Sequence, residues 1–506
     1  MRKLAIAAAI VFLGLAASAG ARLHGQSAKT FGGSADDSPG SILAAPDGGV
    51  VISGTTQHQG AAGGTDAWMW ILMVGRDGRI AWKHVWECYS ISDVFKRSSA
   101  VVAVPGGGYL LAATMLPRQG WGLDSFVFLA RLDSDGAVIW EKKYGFGGIG
   151  AVVQQFGIHD ACPIVDPFAD AKPRLSRRGR EARLRVNPEQ APALMPGSRG
   201  VDGGIIAVGS VHSGNGDDRD LWAARFDWEG RLVWQRRYSG PGRDEGFSVK
   251  EESDGTFYLG GRTFSFGAGG YDFWVLNITG QGDVIWQKTY GGPGNDFLRS
   301  LDIAPGGGCV LAGESDSFPL GNTNAWVLKL DRTGAVEWQR SFGGEGGDWA
   351  SAVRATADGG AVLVGGFSSS KAKDLFLLKL SAGGGTEWFK TFGESIGPYE
   401  LSNESGQAVA LLPGGGYIVA GTSDLLGIAG QDFLLIEVSP AWDPYVCRFL
   451  KSARIDSAET LGLSETSTAL VSATQAVPGE FASVEDASFV LSTRPICPSK
   501  KKKPRR

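Results

Sequence analysis

The chain has 506 residues, a formal charge of −4, 76 glycines, 16 tryptophans and 25 phenylalanines. That much glycine beside so many aromatics excludes a helical bundle and a disordered chain, and reads instead as short strands joined by tight turns. Setting aside the basic stretches at Arg2 and Lys3, at Lys172 to Arg185 and in the final KKKKPRR leaves about −18 for the rest, too acidic for a nucleic-acid groove.

The N-terminal MRKLAIAAAIVFLGLAASAGA has a basic start, an apolar run and the small residues Ala17, Ser18 and Ala19. This pattern predicts a cleaved secretory signal over residues 1–19 and an extracellular or periplasmic protein, whereas a membrane anchor would need about 20 apolar residues. No later stretch is that long and apolar, so no membrane span is expected in the mature chain.

From Ala28 the sequence repeats. A Gly-rich turn before an apolar strand recurs seven times, opening at Pro46, Pro105, Val201, Ser253, Pro305, Ala357 and Pro413. An aromatic strand follows each, entered at Asp66, Asp124, Asp220, Asp272, Asn324, Asp374 and Asp432. Trp82, Trp140, Trp234, Trp286, Trp338 and Trp388 then mark the next strand, and the seventh unit has no such Trp. Successive Trp from Trp234 to Trp388 stand 52, 52 and 50 residues apart, room for four short strands, a to d, with tight connections. Seven such units predict an all-β fold, a seven-bladed β-propeller of four-stranded antiparallel blades over residues 20–447. AKTFGGSADD from Ala28 aligns with the second half of WQKTYGGPGND, so the N-terminus is expected to supply strand d of the last blade and close the ring; Trp442 to Phe449 competes for that place.

Two segments depart from the repeat. Trp140 to Trp234 spans 94 residues, which places a basic insertion at about 160–200, read as a solvated excursion or a contact for an anionic partner. Residues 448–506 form a Ser/Thr/Ala-rich tail with a basic C-terminus, expected to be loosely packed, with a strand around Ala487 to Ser492.

The run from Asn324 to Asp348, followed by ADGGAVLVGG, resembles the bacterial secreted seven-bladed β-propeller repeat (SBBP-type) family over roughly residues 29 to 438. The resemblance implies architecture and export; that family has no general activity to carry over.

Candidates for chemistry are few. Asp37, Asp244, Asp296 and Asp348 enter strand a, and Asp66, Asp124, Asp220, Asp272, Asp374 and Asp432 enter strand c, as an acidic ring for a cation or as caps of their own loops, the latter favoured by the repetition. The Trp rings serve blade packing or, if exposed, sugar stacking. GNGDDRD, Gly214 to Asp220, is a carboxylate cluster without the ligand order of a helical calcium loop. The histidines His24, His58, His84, His159 and His212 are scattered. Cys309 sits in an apolar strand as a small buried residue, and Cys88, Cys162, Cys447 and Cys497 remain for bridges whose pairing is open. The turn LDRTGAVEW misses the spacing of a sialidase Asp-box and brings no quinone ligands. No residue is therefore assigned a catalytic, cofactor-binding or metal-ligating role, and no cofactor is expected. The functional expectation is a secreted, monomeric, non-enzymatic binding or scaffold module for a protein or glycan, with an extracellular carbohydrate-directed hydrolase or lyase as the alternative.

Overall fold

A computed structural model describes residues 27–32, 36–59, 65–89, 99–115, 126–145, 157–164, 203–212, 219–318, 322–344, 346–368, 373–393, 403–424 and 431–438, together with six short strands between 450 and 495. Among these residues there is no helix, and the strands form seven antiparallel sheets.

Blade 4 shows the plan. Strand a is Asp244–Glu251, b is Phe257–Thr263, c is Asp272–Ile278 and d is Val284–Gly291, paired in that order. The first strands of all seven blades neighbour one another around the ring, so strand a lines the axis and strand d the rim. Strand c, DFWVLNI, is buried at every position, because both its faces are covered by adjacent blades. The apolar core is accordingly a set of layers between blades; one contains Phe273, Tyr290, Leu298, Leu311 and Trp326 from blades 4 and 5. The turn between c and d needs a left-handed residue, which Gly282 (φ 84°) and Gly334 (φ 75°) supply.

The ring closes where the sequence places the join. Ser27–Gly32 pairs antiparallel with Asp432–Val438 as strand d of blade 7, with Lys29 opposite Leu435. Phe31 is buried and stacks on Phe433 at 5.4 Å between centroids. A closed ring leaves no unpaired edge at that join.

The C-terminal segment differs from the loosely packed tail expected. Leu450–Ser452, Asp456–Glu459, Leu463–Thr466, Leu470–Ser472 and Val477–Gly479 add a fifth strand to blades 6, 5, 4, 3 and 2 in turn, and Ser492–Pro495 adds one to blade 7. The chain thus runs backwards around the rim, and each short strand covers a rim edge that would otherwise offer free N–H and C=O groups. Blade 1 has four strands among the described residues. In blade 3 strand a is Gly157–Ile164 and strand b begins at Gly204, so the basic insertion falls between them, outside the described residues. The signal segment and Trp442 to Phe449 also lie outside the described residues.

Candidate functional site

The repeated residues explain themselves as joints. Trp286 Nε1 donates to Arg332 O at 3.2 Å, and Tyr290 Oη donates to Gly334 O at 2.7 Å, both across to the c–d turn of blade 5. Trp234 with Tyr238 grips blade 4 in the same way, through Gly280 O at 3.0 Å and Gly282 O at 2.7 Å. The carboxylates entering strand a are caps rather than an open ring of charge. Asp244 accepts N–H from Gly240 at 2.7 Å and hydroxyl hydrogens from Thr263 and Ser265 at 2.5 and 2.8 Å. Asp296 is bound in the same way by the Gly292 N–H and the Ser317 hydroxyl, and Asp348 accepts the backbone N–H groups of Gly344 and Ser368. Burial raises the Asp244 and Asp296 carboxyls and lifts Asp348 to about 6. Asp220 pairs with Arg237 at 3.3 Å.

Other candidates bring no site together. Cys309 is fully buried, and His84 lies between the Trp82 and Trp86 rings. The remaining cysteines and histidines, Asp66 and Asp124, and the core of the GNGDDRD cluster lie outside the described side chains or residues. Among the described residues no group of three or more His, Cys, Asp or Glu is arranged to hold a metal ion.

The unrepeated residues converge instead on a cavity of about 610 Å³ on the ring axis. It is built by a device that recurs in strand a. A bulge adds one unpaired residue at the same point in six described strands: His159 in blade 3, and Gly40, Phe247, Arg299, Ser351 and Gln407 in blades 1, 4, 5, 6 and 7. The latter five line the cavity. A bulge re-aims a side chain that a regular ladder would turn aside, which is how five equivalent positions come to face one space. One residue further on, small side chains lock the blades together. Ser248 Oγ accepts from Leu301 N at 3.2 Å, Ser300 Oγ from Val353 N at 3.3 Å and Ser41 Oγ from Val101 N at 3.4 Å.

Charge is unequal around this cavity. Glu245, 3% exposed, takes three arginines: Arg262 Nε donates at 2.6 Å, Arg243 Nη2 at 2.9 Å and Arg219 Nη1 at 3.1 Å. Burial alone would raise the Glu245 carboxyl, but Arg262, Arg243 and Arg219 together hold it down at about 2. It stays ionised at neutral pH and cannot serve there as a proton donor. Arg262 is fixed further by the rings of Phe297, Tyr271 and Phe247, 4.7, 4.8 and 5.4 Å from its guanidinium carbon. Arg299 pairs with Glu314. Arg354 donates to Val353 O at 2.9 Å and makes no ion pair among the described residues. Five arginines against two glutamates line the cavity, in a protein whose body is acidic. The wall can hold a negative group and stabilise charge on it.

These residues escaped the sequence reading because it sought repeated or motif-like groups. The available signal was the opposite one: within strands that otherwise repeat, the third place after the capping acid reads Phe247, Arg299, Ser351 and Gln407.

The architecture and the site together define a seven-bladed propeller with an arginine-lined axial cavity. No family model matches the chain, and no curated protein matches it. Among solved structures it is similar to an apocarotenoid oxygenase from Synechocystis, in a tryptophan-to-alanine variant, at 13% identity and a TM-score of 0.39, over 85% of this chain and 96% of that one. The expectation of a non-enzymatic binding or scaffold module for a protein or glycan finds no support in this similar structure, which is that of an enzyme. A likeness this distant assigns no activity to the present chain.

Proposed function

We propose that the axial cavity is the functional site and that it receives a small organic anion bearing a carboxylate, phosphate or sulfate group. The observation that carries this reading is the excess of guanidinium in one cavity: three arginines share the single carboxylate of Glu245, and Arg354 has no carboxylate partner among the described residues. Guanidinium groups fixed in place bind planar and tetrahedral anions through paired N–H donors. Trp349 lines the same cavity. Membership of the secreted SBBP-type repeat family, and export from the cell, belong to the same proposal, supported by the in-register repeats and the signal-like N-terminus.

Calorimetric titration of the purified protein with sulfate and with acetate tests the reading. Saturable binding that weakens with added chloride and falls at least about tenfold in Arg354→Ala is expected. Equal binding by wild type and variant would place the anion elsewhere.

A further inference from the structure

We infer that the ligand is a hydroxylated organic anion, read by the bulged residues of three consecutive blades. The inference rests on the axial cavity being the anion site. Arg299, Ser351 and Gln407 occupy the same bulge position in blades 5, 6 and 7. Each carries a buried polar atom with no hydrogen-bond partner: Arg299 Nε, Ser351 Oγ and Gln407 Oε1. Ser351 is only 6% exposed. Buried polar atoms are as a rule satisfied, and one left without a partner is destabilising. Three of them at one repeated position, on side chains that line one cavity, is the arrangement expected of groups that turn to partners arriving with a ligand.

Their chemistry specifies that ligand. Arg299 Nε is a cationic donor and takes an anionic oxygen. Gln407 donates one amide N–H to Ser405 Oγ at 2.6 Å, and its Oε1, an acceptor, requires a donor on the ligand. Ser351 Oγ can give or accept. A simple carboxylate or inorganic anion satisfies Arg299 and leaves Gln407 unmet. A molecule that carries hydroxyl groups beside its acid satisfies all three. The neutral side of the cavity agrees: Ser38, Ser405, Thr422 and Gln431 of blades 1 and 7 add no charge there, so the uncharged part of the ligand lies on that side and the acid on the arginine side.

Gluconate, hexanoate and sorbitol separate the contributions, since they carry acid with hydroxyls, acid alone and hydroxyls alone. In calorimetric titrations of the full chain, gluconate should bind at least about tenfold more tightly than hexanoate, and sorbitol should give no saturable heat. Gln407→Leu should bring gluconate down to the hexanoate level and leave hexanoate unchanged, and Ser351→Ala should move the ratio the same way. Melting temperatures near that of the wild type would show that both variants remain folded. Equal affinity for gluconate and hexanoate in the wild type overturns this inference and leaves the anion site standing. Failure of both anions to bind overturns the two together. A preference for gluconate that survives both substitutions also overturns it, because other groups would then be reading the hydroxyls.

Discussion

Trp286 and Gly334 belong to adjacent blades and occupy one joint: a methyl group added at Gly334 would stand 2.9 Å from Trp286 Cη2, and the glycine holds a φ of 75°. The same relation links Trp140 to Gly230, Trp234 to Gly282 and Trp338 to Gly384. Gly334→Ala meets both a clash and a left-handed backbone, and should cost about 1–3 kcal/mol in urea denaturation. A loss below about 0.5 kcal/mol, the size of an ordinary surface change, would contradict the joint.

The closing strand provides a second test. Phe31 is fully buried against Phe433, with Trp70 of blade 1 5.5 Å from Phe433 between centroids. Phe31→Ala should destabilise by about 3–5 kcal/mol, as large-to-small changes at buried aromatics do. An unchanged melting temperature would mean that Ser27–Gly32 does not hold the ring shut.

Stability should depend on pH in a direction set by buried carboxyls. Asp348 is lifted by burial from 3.8 to about 6, against the N–H groups of Ser368 and Gly344. The folded state therefore holds this proton more tightly than the unfolded chain, and stability falls as pH rises from about 4 to about 6. Glu245 acts in the other sense: its carboxyl, held near 2, contributes stability at neutral pH that is lost only as pH falls below 4.5 toward 2. Asp348→Asn should flatten the decline between pH 4 and 6 in part, since Asp244 and Asp296 are also raised. Denaturation midpoints across that range decide it; an unaltered slope counts against the assignment.

Glu245→Gln removes the one negative charge on which three arginines converge. Anion affinity should rise by about tenfold or more while stability drops by about 3–5 kcal/mol, the cost of breaking a buried ion pair from one side. Titration with sulfate beside a melting curve reads both, and a fall in affinity would mean that the arginines need Glu245 more than it opposes the ligand.

The blades were legible in the sequence because every blade solves the same packing problem. Trp286, Gly334 and Asp296 recur in register since a joint, a turn and a cap are needed each time. Even the closing strand could be found, as its TFGG echoes the TYGG of other units. The rim strands could not: Asp456–Glu459 and Leu463–Thr466 pair only through backbone groups as far as they are described, and carry no repeat. Nor could the cavity, because Arg219, Arg243, Arg262 and Arg299 come from a c strand, a loop, a b strand and an a strand, and only the closed ring brings them together.

The most direct test of the axial anion site is an anomalous-scattering experiment on crystals grown with selenate. The account predicts a selenium peak inside the ring, within hydrogen-bond distance of Arg354 or Arg299 and absent from Arg354→Ala crystals. Peaks confined to the outer rim, with the axial cavity empty, would contradict it.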